Sequence, residues 1–74
     1  MAGKVITNEV VSSIVKSVSY NLASSDLLVE LHNNHKYKYY NVPQTQYWQL
    51  VDAKSVGNMF NTEIKTRYEY ERIA

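Results

Sequence analysis

The chain has 74 residues, with eight lysines and arginines against seven acids and no cysteine. That length gives room for one domain and one core, and folding at this size buries only roughly 60% of the surface the unfolded chain exposes. Lack of cysteine excludes a disulfide framework or a thiolate metal site and makes the cytosol the default compartment, while a net charge of +1 is low for a domain that grips long polyanions.

Residues 1–8, MAGKVITN, lack the apolar stretch of a signal peptide, and no apolar run approaches the ~20 residues of a membrane span. They read as a short flexible arm, leaving 9–74 as the domain. SSIVKSVSYNL, 12–22, is rich in β-branched residues. Ile14, Val18, Tyr20 and Leu22 share one face at period two, with Lys16 as the exception, which predicts a strand. ASSD, 23–26, is a turn signal. In LLVELH, 27–32, Leu27, Val29 and Leu31 alternate with Leu28, Glu30 and His32, the pattern of a half-buried strand. NNH, 33–35, supplies a hairpin turn, because asparagine tolerates positive φ better than other non-glycine residues. KYKYYNV, 36–42, sends Tyr37 and Tyr39 one way and Lys36, Lys38 and Tyr40 the other.

Pro43 ends that ladder and is preorganised for the first turn of a helix. Tyr47, Leu50, Val51 and Lys54 follow at helical spacing, forming a narrow apolar stripe. Ser55 can cap a second helix, in which Phe60, Ile64 and either Arg67 or Tyr68 recur at three- and four-residue steps. YEYERI, 68–73, alternates as a short final edge strand or an extended tail would. The expected fold is α+β: a three-stranded antiparallel meander packed by two C-terminal helices.

The order and spacing of these residues resemble the KTSC domain family. The resemblance runs from the serine pair Ser12-Ser13 through Tyr20, Leu27, Val29, Leu31 and YKYYNVP (Tyr37 to Pro43). It continues with Leu50, Ala53, SVG at 55–57, FN at 60–61, Ile64, Tyr68 and Tyr70. Ser19, Leu31 and Asn34 stand where the family often has glycine, phenylalanine and glycine. The family occurs at the C-terminus of some lysyl-tRNA synthetases and as small stand-alone proteins of bacteria and phages. The resemblance implies a small α+β domain without established catalytic residues, and company with tRNA.

Candidate site residues concentrate between Ser55 and Tyr68. Ser55 and Gly57 would open a helix, where free amides and the helix dipole favour an anion. Asn61 and Lys65 follow at one-turn steps, with Arg67 nearby, so that face could meet a phosphate and a base edge. The competing structural reading makes Ser55 an N-cap, Gly57 a spacer for close packing and Asn61 a partner for a loop carbonyl. A second candidate is the face carrying Lys36, Lys38 and Tyr40, where basic and aromatic residues meet as in single-strand binders; cross-strand packing over a solvated face is its competitor. His32 and His35 lack the further donors that a metal needs and read as surface residues. Trp48 lies beside its helix stripe, as an interface residue would, or as a side chain covering the far side of a small sheet would.

No acid, base and nucleophile fall into an assembled set, so the expectation is a non-enzymatic binding domain with no cofactor and no metal. Its ligand would be phosphate-bearing, a nucleic acid or a nucleotide, held by Ser55, Gly57, Asn61, Lys65 and Arg67 with Tyr68, Tyr40 and Lys38 in support. One alternative is a phage-type anti-defence protein that sequesters a nucleotide second messenger as a homo-oligomer; another is a protein-interaction module. A cytoplasmic location without membrane attachment is expected in each case.

Overall fold

The computed structural model describes residues 4–74. Five strands run in chain order across one antiparallel sheet: β1 (Val5–Glu9), β2 (Val15–Asn21), β3 (Asp26–Leu31), β4 (Lys36–Tyr39) and β5 (Tyr70–Arg72). Between β4 and β5 the chain crosses the sheet as α1 (Gln44–Val51) and α2 (Val56–Met59), the latter continued by a π-helical turn (Phe60–Ile64). All helical elements lie on one face, so the sheet has a covered and an open side.

The α+β expectation holds, and the three predicted strands become the centre of five. Residues 4–8 are mostly strand rather than arm: β1 pairs with β2 in the register Ile6↔Tyr20 and Asn8↔Val18. Residues 1–3 lie outside the described residues. At the other end Tyr70 lies opposite Tyr39 and Arg72 opposite Tyr37, so of the strand and tail readings the strand is realised.

Alternation on the covered face comes out as read for Leu27, Val29 and Tyr39, all buried, with Leu31 and Tyr37 half-buried against them. Strand β2 departs from its reading. Ile14 and Leu22 are exposed, and Val15 is fully buried instead. Leu22 lies one residue past the end of the strand, while the shift at Ile14 and Val15 comes from a β-bulge: Val15 pairs with Leu31 but Ser17 with Glu30, which leaves Lys16 as an extra residue. A bulge shifts the period-two phase by one residue, so Val15 and Val18 both point into the core.

The helical stripe is also narrower than its spacing implied. Tyr47 and Leu50 are buried and Val51 is half-buried, but Lys54 lies beyond the helix end and is exposed. Pro43, expected within the first helical turn, stands instead at the N-cap, one position before the first helical residue, with φ −62° and ψ 146°. Phe60 and Ile64 are buried. Of the two residues that could follow them, Tyr68 packs against the core and Arg67 is exposed.

One buried hydrogen bond fixes where the helical layer begins. The Tyr20 hydroxyl donates to the Val42 carbonyl at 2.6 Å, while the Val42 amide donates to the Ser25 carbonyl at 2.9 Å. Asn41, just before, has φ 56°. The chain therefore leaves β4 through a left-handed residue and is pinned on both sides before Pro43 starts α1. The Tyr20 ring stacks on Tyr47 at 5.2 Å, and Asn8 of β1 donates its side-chain amide to the Tyr47 hydroxyl. One phenol pair thus ties β1, β2 and α1 together.

Replacing Tyr20 by Phe keeps the ring and strands the Val42 carbonyl in an apolar setting. The expected loss is about 1–3 kcal/mol, read as a lower urea midpoint. The β3–β4 turn offers a contrasting test, because Asn34 has φ 71°. Asn34→Gly should leave the midpoint unchanged or raise it, whereas Asn34→Val should lower stability by about 1–2 kcal/mol.

Candidate functional site

The expected site residues fall on two sides of the sheet. Ser55, Gly57, Asn61, Lys65, Arg67 and Tyr68 belong to the helical layer. Lys38 and Tyr40 lie on the open face, where Lys38 pairs with Asp26 at 3.5 Å and sits 5.6 Å from the centre of the Tyr40 ring. The Tyr40 hydroxyl donates to Glu71 at 2.8 Å, and that bond raises its pKa above the ordinary tyrosine value. These two residues therefore do not join the helical set in one pocket.

Within the helical layer, Ser55 caps α2. Its side chain accepts from the Asn58 amide at 3.3 Å, and its carbonyl accepts from the Met59 amide at 3.0 Å. Gly57 is buried where a Cβ would stand 3.1 Å from Ile14 Cδ1 and 3.2 Å from Ser12 Oγ. Ser12 Oγ is itself held, accepting from the amides of Ile14 and Val15 at 3.1 and 3.2 Å. Gly57 thus lets α2 seat against the β1–β2 connection. Tyr68 reaches Gln46 at 3.5 Å. Arg67 pairs with Glu63 at 3.8 Å on the surface, a contact worth little to stability. Asn61 and Lys65 are exposed.

Lys65 reaches a feature that the sequence reading did not assemble. Together with Leu31, Tyr37, Tyr39, Phe60 and Tyr70 it lines a cleft of about 90 Å³ between the π turn and the β4–β5 end of the sheet. The rings form a connected set: Tyr39 meets Phe60 edge-on at 5.8 Å, Tyr70 lies 5.4 Å from Tyr39 and 5.7 Å from Tyr37, and His35 flanks Tyr37 at 6.5 Å. Tyr70 remains 54% exposed. The π turn sets the position of Lys65, whose amide bonds to Phe60 O at 2.9 Å across five residues. Such turns insert one residue relative to an α-helix and recur at functional sites.

The tyrosine hydroxyls divide cleanly. Those of Tyr20, Tyr40 and Tyr68 donate within the protein and that of Tyr47 accepts. Among the described residues, the hydroxyls of Tyr37, Tyr39 and Tyr70 have no such partner, and these three line the cleft. Burial pushes the Tyr39 phenol up to about 12, with the neighbouring Tyr70 and Tyr37 adding to the rise. Tyr39 therefore presents a neutral donor at physiological pH. The alternation signal had assigned Tyr37 and Tyr39 to the core, and only the register of β5 brings Tyr70 beside them.

The two histidines serve local contacts. His32 Nε2 lies 2.8 Å from Ser12 O, and His35 Nε2 lies 3.0 Å from Arg72 Nη2. Among the described residues no three His, Cys, Asp or Glu side chains are grouped to hold a metal, and no helix is long and apolar enough to cross a membrane.

A meander covered on one side by short helices, with an aromatic cleft at the helical rim, defines a small α+β domain with a single covered sheet. The family model of the KTSC domain matches residues 11–68, and the chain belongs to that family. Lysine–tRNA ligases of Nostoc punctiforme and Trichormus variabilis are each 31% identical over 62 residues, covering 84% of this chain. The chain spans only 11% of the length of those ligases. A crystal structure of a KTSC domain protein from Yersinia pestis superposes with a TM-score of 0.89 at 24% identity, covering 96% of this chain and 100% of that one; at that identity the match speaks for the fold. The KTSC domain is not a known catalytic family.

The raised Tyr39 pKa has a consequence at alkaline pH. The unfolded phenol ionises near 10 and the folded one near 12, so the unfolded state sheds its proton first as pH rises. Stability contributed by the neutral phenol is complete below pH 10 and is lost between pH 10 and 12. Urea midpoints should fall across that window, and Tyr39→Phe should reduce the fall. Absorbance of tyrosinate near the upper end should lose one late step in the same variant.

Proposed function

We propose that this chain is a small, non-enzymatic binding domain whose ligand is a nucleic acid, met at the cleft formed by Lys65, Tyr37, Tyr39, Phe60 and Tyr70. The observation that carries the reading is a cleft lined by exposed Lys65 and by three tyrosines whose hydroxyls have no partner among the described residues. An ammonium receives a phosphate, exposed Tyr70 offers a face to a base, and phenols donate to base or ribose acceptors. Base–aromatic stacking is worth about 1–3 kcal/mol per base. Likeness to part of two lysine–tRNA ligases supports RNA as the nucleic acid and the cytoplasm as the place of action. Asn61 and Arg67, exposed on the same helical segment, extend the surface, while Ser55 and Gly57 support it by capping and packing.

The near-neutral charge favours a contact with few phosphates. A single-stranded ligand held by one phosphate contact gives a slope of about −0.7 in log K against log salt. A free nucleotide, sequestered by an oligomer, uses the same chemistry and is the second ligand to test. Trp48, 46% exposed and packed edge-on against Tyr47 at 5.1 Å, supports a separate protein-interaction role away from the cleft.

Calorimetry at low salt with bulk tRNA and with a nucleotide panel tests the reading. Lys65→Ala and Tyr70→Leu should each weaken tRNA binding about tenfold, near 1.4 kcal/mol, with urea midpoints close to the parent. Lys38→Ala, on the opposite face, should bind as the parent does. Binding of tRNA that is unchanged in both cleft variants would overturn the cleft as the site, and heat from nucleotides alone would overturn the nucleic-acid assignment.

A further inference from the structure

The sheet has two edges, and they are built differently. The β5 edge is three residues long and carries Glu71 and Arg72, with Glu69 just before it. Short, charged strands discourage pairing with another chain. The β1 edge is five residues, VITNE, with no proline, no bulge and no charge until Glu9. Its hydrogen-bonding phase can be read from its ends. Lys4 O accepts from the Leu22 amide at 2.9 Å, and the Val10 amide donates to Lys16 O at 3.3 Å. With the register Val5↔Asn21 to Glu9↔Ser17, the even-numbered residues exchange bonds with β2. The amides and carbonyls of Val5, Thr7 and Glu9 therefore point away from the sheet, and no strand among the described residues takes them.

We propose that this edge is a homodimer interface, in which β1 of one copy pairs antiparallel with β1 of a second copy about a two-fold axis at Thr7. Val5 then faces Glu9 of the second copy, Thr7 faces Thr7, and Glu9 faces Val5, each pair exchanging both backbone bonds. Threonine opposite threonine is a favourable cross-strand pair. Charge selects this partner and direction. Lys4 stands at one end of the edge and Glu9 at the other, and their side chains leave opposite faces of the sheet because they differ in phase. Antiparallel pairing puts opposite net charge at each end of the joint, whereas parallel pairing in register would set Lys4 beside Lys4 and Glu9 beside Glu9 on the same face. Exposed Val5, on the open face, would become an interior position of a ten-stranded sheet. One strand pair buries less than the roughly 1,000 Å² of a stable interface, so the dimer is a weak one, forming in the micromolar range or above. The interface is independent of the cleft, which lies at the opposite, β4–β5 end of the sheet.

Sedimentation across micromolar to millimolar protein reads the equilibrium directly. Thr7→Pro removes an amide that faces outward, so the bonds between β1 and β2 survive. Thr7→Lys sets two like charges opposite each other. Each should weaken self-association at least tenfold while the urea midpoint of the monomer stays close to the parent. Thr7→Cys gives a register test in a chain without cysteine: Cα atoms directly opposed at about 5.5 Å lie within disulfide reach, so mild oxidation should yield a covalent dimer, which Asn8→Cys should not. A parent that stays monomeric throughout, or a dimer that persists in Thr7→Lys and resists cross-linking in Thr7→Cys, would overturn the proposal.

Discussion

The structure turns on the hydrogen bond from the Tyr20 hydroxyl to the Val42 carbonyl. A meander whose strands are neighbours in sequence forms easily, but it leaves one apolar face to be covered by whatever follows. The chain must leave β4, reverse and run back across the sheet, and its backbone polar groups cannot be buried unpaired on the way. Val42 is fully buried at that crossing, and both its backbone groups are satisfied, the carbonyl by Tyr20 and the amide by Ser25. With Pro43 next, the direction of α1 is settled by three residues. The stacked Tyr47 ring and the Asn8 amide then carry the same constraint out to β1.

Tyrosine is the residue that makes this arrangement work in so short a chain. A phenylalanine core would bury as much apolar surface but could not satisfy a carbonyl at a layer crossing. Four of the seven tyrosines use their hydroxyls within the fold, binding layers and loops together. The remaining three gather at the β4–β5 end, where Lys65 adds a charge. The division follows the cleft: the three hydroxyls without a partner among the described residues belong to the tyrosines that line it.

Much of this was legible in the residues. The alternation of Leu27, Val29 and Tyr37, Tyr39 predicted β3 and β4 and their faces, and Asn34 takes the left-handed conformation that its place in the turn demanded. Phe60 and Ile64 were recognisable as a packed pair. Three features escaped for physical reasons. Strand β1 carries polar Asn8 on its covered face, because the Tyr47 hydroxyl awaits it, so no apolar alternation marks the strand. The bulge at Lys16 changes phase in the middle of β2, which a fixed period cannot follow. The cleft draws on residues from Leu31 to Tyr70, and only the sheet register brings them together. Ser55 and Gly57 read equally as a binding loop or as a cap and spacer, and their backbone and packing contacts are those of the second kind.

The π turn links chain length to surface chemistry. Between Phe60 and Lys65 the helix takes one residue more than an α-helical turn needs. Losing a single residue there would leave a regular helix and rotate everything after it by about 100°. Phe60 could stay in the core, but Lys65 would swing off the tyrosine cleft and another side chain would take its place. A one-residue deletion, ordinarily a minor event in a surface helix, would thus re-address this face to a different ligand while leaving the core almost untouched. Length variation at this point, more than substitution, is the change by which domains built on this frame could part in what they recognise.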